Sequence, residues 1–126
     1  MKVLVIDTDN LEPQIVETEG GLEEWYRLIK CDLIDIVSRK IGGRYFDIIA
    51  DDEALLKAGG KVTGLDTEKQ PMLVGNLVIC NYDSETGGET SLTDMDIAHI
   101  KEQLVILAQA DTETPQRWLA VSNMDY

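Results

Sequence analysis

Asp7, Asp9 and Asp51 are the residues of this chain whose type and placement come nearest to chemistry. Asp7 and Asp9 follow the apolar run Val3 to Ile6, and Asp51 follows the run Phe46 to Ala50. Carboxylates at strand ends can hold magnesium while one of them attacks phosphorus or moves a proton. The usual frame for such a site is a doubly wound parallel sheet, which brings several strand ends to one crevice. The plain alternative is that all three are turn carboxylates. A calcium loop beginning at Asp7, Asp9 and Glu12 lacks the required glycine and terminal glutamate.

The opening VLVIDTD resembles the first strand of haloacid dehalogenase-like phosphatases and, together with Asp51 after FDIIA, that of response-regulator receivers. The first resemblance implies a nucleophile and an acid/base, the second a set of magnesium ligands and a phosphorylated aspartate. Both families need later residues that this chain does not supply. The long apolar run ends in Asn81 and Tyr82, and no lysine follows Lys101. A magnesium-dependent receiver-like or phosphatase-like domain using Asp7, Asp9 and Asp51 is therefore carried as the alternative, and no catalytic residue or metal ligand is assigned.

Other chemistry-bearing residues have simpler explanations. His99 has no companion cysteine or histidine at ligand spacing, and the helical pattern around it turns it to solvent. Met95 and Ile106 make a thin apolar strip beside it, a surface for a possible homodimer. Cys31 and Cys80 lie in apolar neighbourhoods and read as buried thiols in a reducing compartment. The glycine pairs at 20–21, 42–43, 59–60 and 87–88 lack the strand, loop and helix context that cradles phosphate. Arg39, Lys40 and Arg44 with Trp25 and Tyr26 have the side chains of a nucleotide rim, although Trp25 and Tyr26 belong on a core-facing helix side. Ligand-binding residues therefore stay unknown, and no cofactor is expected.

The elements that must position these residues follow from periodicity. Val3 to Ile6 reads as a central strand, and Gln14 to Glu17 as its hairpin partner. Leu22, Trp25, Tyr26 and Ile29 share one face of a helix at about residues 21–31. Runs at 33–37 and 45–50, joined through Gly42-Gly43, predict an antiparallel hairpin. A short strand is expected at 61–63, and Met72 to Tyr82 reads as one long central strand with a bulge at Gly75. Thr93 with Asp96 forms a capping box, with Leu92 and Ile97 as its staple. From there Ile97, Ile100, Leu104 and Leu107 predict a helix of about four turns over 92–108. Residues 111–126 are expected to add an edge strand at 117–121 and a docked tail to a single compact domain over 1–110. The fold class is α+β, a mixed or mainly antiparallel sheet packed against two principal helices.

Charge bears on partners more than on fold. Eleven Lys and Arg face twenty-four Asp and Glu, a formal net charge of −13 over 126 residues. Such an excess disfavours direct nucleic acid and membrane binding and steers toward a basic surface. No apolar run is long enough for a signal peptide or a bilayer span, so the expected location is the cytoplasm, the host cytoplasm if phage-encoded.

With these elements placed, the chain resembles the family of phage, plasmid and bacterial proteins described as domain of unknown function 3846. The resemblance rests on MKVLVI, on GGLEEWYRLIKCDLIDIV, on DIIADDEALLKAGGKVTGL and, most specifically, on VGNLVICNYDSETGGETSLTDMDIAHIKEQL. It covers about residues 1–108, while the doubled Gly42-Gly43 turn and the tail from Asp111 depart from the usual outline. It implies a fold and a mobile-element context, with no residue roles. The leading expectation is a non-enzymatic accessory protein that binds a host protein with a basic surface, or a small ligand; a nucleotide-capturing protein is carried as a further alternative.

Overall fold

The computed structural model describes residues 1–54, 61–110 (106–110 as backbone) and 117–126. In chain order the strands are β1 (Lys2–Ile6), β2 (Gln14–Glu17), β3 (Ile34–Ile41), β4 (Arg44–Asp51), β5 (Val62–Leu65), β6 (Pro71–Val74), β7 (Leu77–Tyr82), β8 (Glu89–Thr90), β9 (Val105–Ala110), β10 (Arg117–Ser122) and β11 (Met124–Asp125). Helix α1 (Leu22–Ile29) lies between β2 and β3, and α2 (Asp94–Gln103) between β8 and β9. A large sheet runs β11-β3-β4-β7-β1-β2 with β8 on β7, and a smaller one runs β6-β5-β10-β9. Every pairing is antiparallel except that of β10 with β5. The fold is thus α+β, with mixed and mostly antiparallel sheets and two helices.

The continuous apolar runs are explained by cover on both faces of the large sheet. Side chains alternate along a strand. Val3, Val5, Ile49, Val78 and Cys80 therefore pack with Trp25 and Ile29 of α1 on one face. Leu4, Ile6, Phe46, Ile48, Leu77 and Ile79 face the other way, against Ile97 and Ile100 of α2 and Leu73, Leu119 and Val121 of the smaller sheet. Cys31 and Cys80 are both buried thiols, and burial pushes the Cys80 thiol up to about 12.

Several sequence expectations need correction. Residues 72–82 form two strands in different sheets, because Gly75 adopts φ +80 and turns the chain from β6 into β7. The helix expected over 92–108 stops at Gln103. Leu104 is extended, and the Gln103 carbonyl accepts from Asn123 Nδ2 at 3.1 Å. From Val105 the chain pairs with β10 through six residues, so Leu107 lies on a strand. β10 is no edge, since β9 flanks it on one side and β5 on the other. The expected strip of Met95 and Ile106 on one helix does not form. Leu22 is exposed, and only Trp25 and Ile29 of the expected α1 face are buried. The Gly59-Gly60 turn and the DTETP segment lie outside the described residues.

Candidate functional site

Strand order decides the fate of the three aspartates. β1 and β2 form an antiparallel hairpin, and β7 runs antiparallel between β1 and β4. The doubly wound frame is absent. Leu77 pairs with both Ile6 and Ala50, which brings Asp7 and Asp51 to the same sheet end but about 10 Å apart, with β7 between them. Asp7 and Asp9 are instead bridged by Lys30, whose Nζ lies 3.1 Å from Asp7 Oδ2 and 3.2 Å from Asp9 Oδ2. The hydrogen bonds and charges of Asp7 and then Asp9 raise the Lys30 ammonium above its ordinary value. Asp51 Oδ1 accepts from the Glu53 backbone N–H in its own turn. Among the described residues, no three His, Cys, Asp or Glu converge in a group that could hold a metal ion.

The basic rim is split between the two sheet faces. Arg39 and Arg44 lie on the α2 side with Phe46, whereas Trp25 is buried against the α1 side. Arg39 stacks on Tyr126 at 4.6 Å, and Arg44 lies over Phe46 at 5.1 Å. Arg44 also donates to Asp96 Oδ1 at 2.5 Å, while Asp96 Oδ2 accepts from Asn81 Nδ2 and from the Thr93 backbone N–H. Burial alone would raise the Asp96 carboxyl. The Thr93 backbone N–H, the Arg44 guanidinium and the Thr93 hydroxyl hold it below its ordinary value. The capping box is present as read from sequence. His99 is half-buried rather than solvent-facing, with Nε2 2.8 Å from the Ile41 carbonyl at the end of β3. These contacts fasten the β3–β4 turn to α2, which is structural work.

Among the described residues, the surface left without such a partner is on the α1 side. α1 covers β1, β7 and the inner part of β4, leaving a lane over β3 and the outer part of β4. Register places Ser38, Asp47 and Cys80 in one row across it and pairs Lys40 with Tyr45 in the next. Tyr82, paired with Glu89, continues that second row. Ile36, Tyr45 and Tyr82 remain 43%, 44% and 40% exposed. At the centre is Asp47, half-buried, its carboxyl raised above the ordinary value by desolvation and then by the charge of Glu89. Among the described residues no ion pair reaches Asp47 or Glu89. The nearest base in register, Lys40, lies over the Tyr45 ring at 5.3 Å. Sequence reading passed over this lane because YFDIIA scans as an apolar run. Its signal was the period of two that sets Tyr45, Asp47 and Ile49 on one face.

Among the described residues, two concave surfaces lie elsewhere and are acidic. A cleft of about 160 Å³ is bordered by Asp35, Val37, Asp52, Met72 and Leu73. A wider open depression at the start of α1 is lined by Glu19, Glu23 and Glu24, with Arg27 held 2.7 Å from Glu24. Neither offers an unpaired cation to a phosphate.

A family model described as Domain of unknown function (DUF3846) matches residues 1–105. The chain belongs to that family. No curated protein and no solved structure matches it significantly. Among the described residues of this DUF3846 protein, no helix is long and apolar enough to cross a membrane.

Proposed function

We propose that this DUF3846 protein is a non-enzymatic accessory domain of phage or mobile-element type, and that it acts in the host cytoplasm by binding a host protein with a basic surface. The observation that carries this reading is the lane over β3 and β4. A half-buried carboxylate stands there among exposed tyrosine and isoleucine side chains, with a second acid nearby and no cation paired to either. Aromatic side chains around a desolvated charge are what a protein interface uses as anchors. The −13 net charge adds long-range attraction toward a basic partner and repulsion from phosphate backbones. Small-ligand binding has weaker support, because the cleft and the depression found among the described residues are both lined by acids.

A photo-crosslinking residue placed at Ser38, in the full chain expressed in host cells, tests the proposal. One discrete protein adduct is expected, weakened at raised salt and lost on Asp47→Lys, with none from the same label at Met95 on α2. An absence of adducts, or equal adducts from both positions, would overturn it.

A further inference from the structure

We infer that the lane beside α1 is the seat of a single cationic amphipathic helix contributed by the partner. This rests on the binding reading above and adds the shape and chemistry of the occupant. The dimensions come first. The lane takes in β3, the outer part of β4 and the ends of β7 and β8, so it is at least two strands or about 10 Å wide, and a helix packs beside a neighbouring helix at about 8–10 Å between axes. The uncovered stretch of β3, from Ile36 to Ile41, is about 20 Å long, which accommodates roughly thirteen helical residues, since Ile49 and Ile34 belong to the cluster under α1. A helix laid here would run alongside α1 and finish a layer that α1 leaves half built.

Backbone chemistry favours a helix over an extended segment. The lane is a sheet face, where β3 and β4 pair with each other through eight residues and β4 pairs on with β7, while the outer edge of β3, which β11 pairs only at Lys40 and Ile41, lies in the sheet plane beside it. The face itself offers side chains but no row of free amides or carbonyls. An extended peptide laid across it would bury backbone groups without partners, whereas a helix satisfies its own. Side-chain chemistry then sets the sign. Ile36, Tyr45 and Tyr82 call for an apolar stripe, and Asp47 at the centre with Glu89 calls for a base within that stripe. Arginine suits the position best, since its fork pairs with a carboxylate while its plane stacks on tyrosine. A second copy of this chain is a poor occupant, because each copy brings its own charge of −13.

The full-length protein is titrated with three synthetic eighteen-residue peptides while its amide resonances are followed. One is an amphipathic Leu/Arg helix, the second carries Glu in place of Arg, and the third is the first with its order shuffled to destroy the apolar stripe. The Leu/Arg helix should bind, shifting the amides of Ile36, Asp47 and Tyr82, and the other two should bind at least tenfold more weakly. Asp47→Asn and Tyr82→Ala should each weaken binding at least fivefold, and Glu12→Gln, in the exposed β1–β2 turn at the opposite edge of the large sheet, less than twofold. Circular dichroism of each variant separates lost binding from lost fold. Equal binding of the shuffled peptide, shifts clustered away from the lane, or lane shifts that appear on self-association without peptide would overturn the inference. A Ser38 adduct with a host protein combined with no binding of the Leu/Arg helix would overturn the helical occupant alone and leave the binding reading standing.

Discussion

Asp96 and Asp47 show two opposite fates of a carboxyl group on this sheet. Asp96 is almost fully enclosed and satisfied from three elements, and its pKa lies below the ordinary value. Its contribution to stability is therefore present above the unfolded carboxylate range and is lost as pH falls through the depressed folded value. Arg44→Met should cost about 1–3 kcal/mol at pH 7, since it leaves a buried carboxylate without its cation. The gap to the unaltered protein should narrow below pH 4, as read by denaturant midpoints across pH. Asp47 behaves in reverse. Its raised pKa means that the ionised form is penalised on folding, and that penalty is relieved as pH drops through the folded value toward the ordinary one. The groups facing it are Cys80 and Tyr82 on β7, Glu89 on β8, and Tyr45, Ser38 and Lys40 on its own hairpin. Asp47→Asn should raise the unfolding midpoint at pH 7, with the difference closing on acidification. A lower midpoint at pH 7 would contradict this account. The Thr93–Asp96 box was legible because its partners are three residues apart. The Arg44–Asp96 pair spans 52 residues and left no local trace.

At the scale of elements, local turn chemistry was readable and chain routing was not. The Gly42-Gly43 hairpin forms as read, with φ of +58 and +81 at its two corners. The two glycines are nevertheless unequal. A Cβ on Gly42 would meet Gln103 side-chain carbons of α2 at 2.3 Å and His99 Nε2 at 2.9 Å, whereas one on Gly43 would meet nothing within 4 Å. Both alanine substitutions carry the left-handed penalty of about 1 kcal/mol. Gly42→Ala should cost about 1–3 kcal/mol beyond Gly43→Ala, because it also displaces the Gln103 side chain and the His99 ring that holds the Ile41 carbonyl. Equal losses in chemical denaturation would show that the turn is not docked. The routing errors share a cause, since an apolar run reports burial without reporting which sheet provides it. MLVGNLVICNY is buried on both sides of Gly75, and only the backbone turn there divides it between two sheets. VILAQA continues a helical stripe on paper, yet six residues of β10 offered it a ladder that no local signal announces.

At the scale of the whole molecule, the chain closes late. β10 enters the smaller sheet between β5 and β9, and β11 pairs with the end of β3 in the larger one at Lys40 and Ile41. Leu119, Val121 and Met124 are buried in the core that both sheets share. The family match ends at residue 105, yet β10 and β11 lie beyond it. A chain lacking residues 117–126 should lose its single cooperative thermal transition and bind hydrophobic dyes; a sharp transition in calorimetry would refute that dependence. The acidic lane was illegible for a related reason, because its residues come from β3, β4, β7 and β8 and meet only through register. Because β5 must wait for β10, synthesis itself imposes a delay on the protein. At about 5–20 residues per second, translation from residue 105 to residue 125 takes roughly 1–4 s. During that interval the nascent polypeptide presents an unpaired β5 edge and an uncovered apolar face to its surroundings, the kind of surface that holdase chaperones recognise.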